Sequence, residues 1–259
     1  MNTLTIDIGN NKIKLDYWDN DGILYRTLCD KISMEEIKRE VENIDIKGII
    51  LSSVRKDYQD IIQALKEQSG CDVIIDFNQD EIDKISDKIK YKGKVGPDRI
   101  AAYLGAQAQV FGPKLIIDAG TAITLDIADK EGCYRGGNIS LGLKSRLKAL
   151  ADATSMLPKV EEFTTFSYFG RDTHSAIEDG ARNGVIGEIL YTIELAKLEY
   201  QIEWVVITGG DAENFFRTIR DKWEKCIPDK FLVGRGLNYH LRKFYFPDVF
   251  LHTNFQQSI

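Results

Sequence analysis

A mixed α/β fold built from two related halves facing a shared cleft is predicted by three observations. First, residues 115–126 drive an apolar run into Asp118, turn at Gly120 among hydroxylated residues, and become apolar again as far as Asp126. Second, residues 4–16 repeat the pattern with Asp7, Gly9 and a closing Asp16, the copy at 115–126 being one residue shorter between glycine and aspartate. Each copy reads as a buried strand, a tight turn and a second strand, and its recurrence at the head of each half marks a duplicated unit. Third, the segments between the copies alternate strand and helix periodicities, the order of a mixed sheet flanked by helices.

In the first half, residues 3–8 and 12–18 form the hairpin, and Asn20-Asp21-Gly22 turns the chain into a strand near 23–28. Ser33 followed by Glu36 is a capping box, predicting a helix to about Asn43. Residues 47–53 read as a buried strand, 55–69 as a helix stopped by Gly70, and 72–77 as a further strand. The charged stretch 80–90 reads as a solvated helix or loop. A glycine-containing loop at 93–99 precedes an alanine-rich helix over 100–111, and Gly112-Pro113 breaks it. The expected division is therefore 1–112 and 113–259.

In the second half, the hairpin is followed by a strand or turn at 132–139, a basic helix over 143–151, and a long loop over 158–172. A long helix over 173–200 contains Gly180, Gly184 and Gly187, whose spacing predicts close helix packing. A buried strand at 205–208 leads through Gly209-Gly210-Asp211 into a helix reaching about Lys225. Residues 231–233 read as a last short strand, with irregular aromatic residues after it.

The chain of 259 residues is 43% hydrophobic and 29% charged, enough for a full core. A net charge of −6 argues against nonspecific nucleic-acid binding, which requires a basic surface. Cys29, Cys71, Cys133 and Cys226 are widely separated and form neither zinc-ligand nor disulfide spacing, which suits a reducing cytoplasm. The three histidines show no ligand spacing. No apolar run reaches transmembrane length, and no signal peptide is visible. The expected location is cytoplasmic, without a membrane partner.

Five stretches gather phosphate-compatible residues: 7–14, 96–99, 118–124, 136–138 and 208–211. Their glycines let backbone N–H groups approach an anion. Their carboxylates suit Mg²⁺, which keeps several waters and bridges to phosphate oxygens. Lys12 and Lys14, two apart, would share one strand face and leave Ile13 and Leu15 for the core. Thr121 and Thr124 offer hydroxyls at the second turn. Asp98 beside Arg99 places a carboxylate able to take an alcohol proton next to a guanidinium able to hold negative charge. Asp98 is equally placed to cap the helix that follows. The pattern of a P-loop is absent, as are a dinucleotide fingerprint and a nucleophile elbow.

Asp7-x-Gly9-Asn10…Lys14, Gly96-x-Asp98-Arg99, Asp118-x-Gly120-Thr121-Ala122 and Gly136-Gly137-x-Ile139 stand in the order found in type III pantothenate kinases, which this chain resembles. The likeness continues through Thr173…Ala176-Ile177…Gly180 and Thr208-Gly209-Gly210. That family belongs to the acetate/sugar kinase, Hsp70 and actin superfamily. The resemblance implies two RNase H-like halves, with mixed sheets flanked by helices and a central cleft. It implies ATP-dependent phosphorylation of the primary hydroxyl of pantothenate by a homodimer, the first step towards coenzyme A.

By the same resemblance, Asp98 is the general base, and Tyr91, Gly96, Pro97, Asp98, Arg99 and Thr173 contact pantothenate, Thr173 from across a homodimer interface. Asp7, Ile8, Gly9, Asn10, Asn11, Lys12, Ile13, Lys14 and Thr121 bind ATP. Asp7 lies near Mg²⁺, and Asp118 coordinates a monovalent cation, K⁺ or NH₄⁺. Three features depart from the family pattern: Asn11 replaces a hydroxylated residue, the segment from Tyr91 to Gly96 is short, and Leu141 replaces a proline. They leave open two other readings, a non-catalytic nucleotide-binding regulatory homologue and a kinase for another small alcohol.

Overall fold

The computed structural model describes residues 1–161 and 167–250. The chain divides into two units, Met1–Phe111 with Phe231–Ile259, and Gly112–Lys230.

The first unit opens with β1 (Asn2–Ile8), β2 (Ile13–Trp18) and β3 (Ile23–Cys29), an antiparallel meander. Then come α1 (Met34–Asn43), β4 (Ile46–Ser53), α2 (Gln59–Gln68), β5 (Val73–Asp76), the short α3 (Gln79–Asp83) and α4 (Pro97–Gln107). The sheet order is β3-β2-β1-β4-β5, with β4 and β5 parallel to β1. β1 alternates Thr-Leu-Thr-Ile-Asp-Ile because its two faces meet different layers. Leu4, Ile6 and Ile8 join Ile37 and Val41 of α1 and Ile62 and Leu65 of α2 in one apolar cluster. Thr3, Thr5 and Asp7 take the opposite face, and all three are buried. Ser33 caps α1 as expected, its side chain accepting the Glu36 N–H at 3.3 Å.

The second unit repeats this plan with β6 (Lys114–Ala119), β7 (Ala122–Ala128) and β8 (Tyr134–Leu141), again an antiparallel meander. After α5 (Leu143–Ala153) and α6 (Thr173–Tyr200) come β9 (Trp204–Thr208), α7 (Ala212–Lys222) and β10 (Cys226–Pro228). Its order is β10-β9-β6-β7-β8, with β9 parallel to β6 and β10 parallel to β9. Read from its meander edge, this is the first sheet's order again. Ile117, Ile123 and Leu125 pack with Val185, Ile189 and Ile193 of α6 and Phe215 and Ile219 of α7.

The chain ends with α8 (Leu232–Tyr245) and α9 (Pro247–Phe250). α8 corrects the expected strand at 231–233 and belongs to the first unit rather than to a half spanning 113–259. It covers the polar face of β1, where the Thr3 hydroxyl donates to Asn238 Oδ1 at 2.6 Å. Its crossing with α4 is very close. A Cβ at Gly236 would lie 1.8 Å from the Ala101 carbonyl oxygen, and one at Gly105 2.2 Å from that of Leu232. Glycine is required there because the backbones themselves touch.

Other expectations are corrected as well. α2 starts at Gln59, because residues 53–55 turn back towards the first hairpin. In the charged stretch 80–90, Glu81, Ile82 and Ile85 are buried, Glu81 through a bond with buried His240 at 2.8 Å. Gly180 and Gly187 of α6 have nothing within 4 Å of a built Cβ, so they face outward instead of packing. Among the described residues no helix is long and apolar enough to cross a membrane. The expected loop at 158–172 lies partly outside the described residues.

Candidate functional site

The first hairpin turns at Gly9–Lys12, with the Gly9 N–H donating to the Lys12 carbonyl at 3.1 Å. Asp7 pairs across the ladder with Lys14, and the Lys14 ammonium lies 2.9 Å from Asp7 Oδ2. Asp7 is buried and Lys14 half-buried, so their attraction is screened less than that of a surface pair. Ile13 and Leu15 point into the core as expected, Ile8, expected at ATP, is buried with them, and Asn10 and Asn11 are exposed. Lys12 does not share a strand face with Lys14. It sits in the turn, where its ammonium pairs with exposed Asp30 at 2.8 Å.

One participant was not legible in the sequence. Arg55 follows β4 and donates from Nε to the Gly9 carbonyl at 2.7 Å and from Nη2 to the Asn10 carbonyl at 3.1 Å. Position 55 falls in a stretch of helical spacing, and only the parallel pairing of β4 with β1 brings the residue after the strand beside the turn.

Also in the first unit, Gly96 caps α4, Pro97 opens it, and Asp98 and Arg99 occupy its first turn. Asp98 is therefore not the N-cap. Pro97 fits because the first helical N–H has no intrahelical acceptor. Asp98 Oδ1 accepts the Arg99 backbone N–H at 2.9 Å, and a Cβ at Gly96 would stand 2.6 Å from that oxygen. Asp98 is half-buried, Arg99 buried, and Tyr91 exposed in the preceding loop.

In the second unit the hairpin turns more tightly, with the Gly120 N–H donating to the Ala122 carbonyl at 3.0 Å. The Thr121 carbonyl accepts the Gly142 N–H at 3.0 Å and the Ser145 hydroxyl at 2.6 Å, both from the start of α5. Asp118 lies across from Thr124 on one side and from Thr208 of β9 on the other. After β9, Gly209 has φ +98°, and a Cβ there would meet the Ala119 carbonyl oxygen at 2.3 Å and Asp118 Oδ1 at 2.5 Å. The Asp211 N–H donates to the Ala119 carbonyl at 2.9 Å. Burial raises the Asp211 carboxyl above its ordinary range, against the pull of Lys144.

Thr173 is the exposed first residue of α6. It follows a capping box in which Asp172 Oδ1 accepts the Ser175 N–H at 2.9 Å and Ser175 Oγ accepts the Asp172 N–H at 3.2 Å. Of the stretches singled out by sequence, 7–14 and 96–99 fall in the first unit, and 118–124, 136–138 and 208–211 in the second. At 136–138, Gly137 is forced by a close approach, since a Cβ would lie 1.8 Å from the Leu125 carbonyl.

A family model for type III pantothenate kinase matches residues 3–195. A type III pantothenate kinase of Bacteroides fragilis is 32% identical over 236 residues, covering 91% of this chain and 95% of that one. Among solved structures, a conserved Campylobacter jejuni protein assigned to the Baf family of transcriptional activators superposes with a TM-score of 0.60. It is 21% identical, with 95% of this chain and 99% of that chain covered. A ROK hexokinase from Thermus thermophilus superposes with a TM-score of 0.50 at 15% identity, with 92% and 96% covered. At these identities the structures speak for the fold alone, two α/β units. The family match spans most of the chain, and the chain belongs to the type III pantothenate kinase family.

Proposed function

We propose that this protein transfers the γ-phosphoryl group of ATP to the primary hydroxyl of pantothenate, giving 4'-phosphopantothenate at the entry to coenzyme A synthesis. The observation that carries the reading is Asp98 in the first turn of α4, beside buried Arg99, in a chain of this family. Phosphoryl transfer through a loose transition state demands that the attacking hydroxyl be oriented more than that it be strongly activated. Asp98 accepts the hydroxyl proton and fixes the attacking oxygen. The Arg99 N–H fixes the direction of its carboxylate. Tyr91, Gly96, Pro97 and Arg99 border pantothenate, and Thr173 does so from a second subunit.

The turn 9–12 offers backbone N–H groups to the phosphates, and Lys14 adds a cation beside them. Thr121 contacts ATP from the second hairpin. Mg²⁺, when bound, neutralises phosphate charge, and Asp7 is the residue that would hold it. A single buried carboxylate suits an ion that keeps most of its waters, and among the described residues no group of three or more His, Cys, Asp or Glu could form an all-protein cage. A monovalent cation, K⁺ or NH₄⁺, would sit at Asp118. The oxygens of Asp118 and Ala119 that crowd a Cβ at Gly209 are the donor type such a cation takes.

The homodimer is part of the same reading. α6 has 28 residues, about 42 Å at 1.5 Å per residue. Its outward face carries Gly180 and Gly187, then Tyr191 at 67% and Leu198 at 81% exposure, an apolar stripe that a second copy would cover.

The test is ADP release from ATP, Mg²⁺ and K⁺ in a coupled assay, with and without pantothenate. Release that depends on pantothenate is expected. Nucleotide binding without turnover would favour a non-catalytic homologue, for which Asn11 in place of a hydroxyl speaks. Turnover only with a different alcohol, in a substrate panel, would name another kinase.

A further inference from the structure

The last pair of β1 with β4 is Ile8 with Ser53, and the Val54 N–H extends the ladder to the Ile8 carbonyl at 3.2 Å. The chain then bends on Ser53, whose Oγ accepts the Arg55 N–H at 3.0 Å and donates to the Arg55 carbonyl at 3.2 Å. That bend delivers the guanidinium to the first hairpin turn, where Nε and Nη2 take the carbonyls of Gly9 and Asn10.

These two carbonyls are the acceptor dipoles of the very turn whose N–H groups are read as facing phosphate. Left to rotate, they would present partial negative charge to a polyanion. Bound to a planar two-donor fork, they are held away from it, and a fixed positive charge stands directly behind the turn. The second hairpin holds its equivalent carbonyl, that of Thr121, with a backbone N–H and a serine hydroxyl, which are neutral donors. A cation is thus built into the first turn, where the bonds described at its counterpart come from neutral donors.

We propose that Arg55 is a positioning residue for ATP: it orients the turn 9–12 by fixing the Gly9 and Asn10 carbonyls and adds positive charge behind the phosphates. This rests on the reading of that turn as a phosphate site. Arg55 is half-buried and its side chain bonds to the turn carbonyls of Gly9 and Asn10, so its removal should leave the fold intact.

The experiment compares Arg55→Met and Arg55→Lys with the unaltered protein. It measures ATP affinity by calorimetry without pantothenate, KM for each substrate, kcat, and the melting temperature. Two charge-assisted hydrogen bonds translate into a loss of about 10- to 100-fold in ATP affinity and in KM for ATP for Arg55→Met. KM for pantothenate should stay within about twofold, since both bonds of the Arg55 side chain go to the turn assigned to ATP. Arg55→Lys, which keeps the charge and loses the fork, should fall between. ATP affinity unchanged in Arg55→Met overturns the proposal, as does an equal rise in both KM values or a loss explained by a collapsed melting temperature. An unaltered protein that binds ATP and never phosphorylates pantothenate sinks the substrate reading but leaves the affinity comparison to judge Arg55. One that binds no ATP overturns both.

Discussion

The two hairpins share a topology and differ in chemistry. Each follows the first strand of a five-stranded sheet with the same strand order, and each opens its turn after an Asp-x-Gly. In the first, the residue across the ladder from the aspartate is Lys14, the turn spans four residues between paired strands, and a guanidinium holds its carbonyls. In the second, the residue across from the aspartate is Thr124, the turn spans three residues, and neutral groups hold its carbonyl. A duplicated scaffold carries the cations Lys14 and Arg55 at its first turn, and threonines and carbonyl oxygens around Asp118 at its second. The first suits phosphate oxygens, which respond to charge. The proposed reading gives the second turn a nucleotide and a weakly held cation, for which oxygen donors suffice.

If that division holds, substitutions in the first unit should cost more than their counterparts in the second. The largest effect is expected from Asp98→Ala, with kcat falling about 10²- to 10⁴-fold as positioned proton transfer is lost, and an unchanged melting temperature. Turnover that survives would remove Asp98 from its role. Next, Lys14→Met should raise KM for ATP about tenfold or more, because the ammonium is lost and the buried Asp7 loses its ion partner. The register-matched Thr124→Val should change it by about two- to tenfold at most, the worth of one neutral hydrogen bond. Equal effects at the two positions would erase the contrast. A smaller effect is expected from the medium: replacing K⁺ by Na⁺ should lower the rate of the unaltered protein, and Asp118→Asn should flatten the difference between the two salts. A rate indifferent to the cation would take Asp118 out of that role.

Much of this was legible in the sequence where local pattern and tertiary environment agree. The Asp7 and Asp118 hairpins, the Ser33 cap, and the helix at 173–200 were read in place. The failures have identifiable causes. α8 begins Leu-Val-Gly-Arg-Gly after Phe231, and glycine opposes helix in isolation. Yet Gly234 is needed where a Cβ would meet Asp16 Oδ2 at 2.2 Å, and Gly236 where α8 touches α4. Long-range packing thus overrode propensity, and with it moved the C-terminal helix into the first unit. Gly180 and Gly187 of α6 are expected as contact points by the same logic and instead face outward, while Gly184 meets the Arg146 side chain. Spacing locates a stripe on a helix but cannot say what lies opposite. Arg55 was invisible because its role depends on which strands run parallel, and one sequence does not specify that.

The most direct measurement follows phosphorus itself. The protein is incubated with ATP, Mg²⁺, K⁺ and pantothenate, and the products are resolved by ³¹P NMR and mass spectrometry. The account predicts ADP and 4'-phosphopantothenate in equal amounts, with both lost in Asp98→Ala. ADP appearing with inorganic phosphate alone, or pantothenate recovered unmodified under conditions where ATP binds, would contradict it.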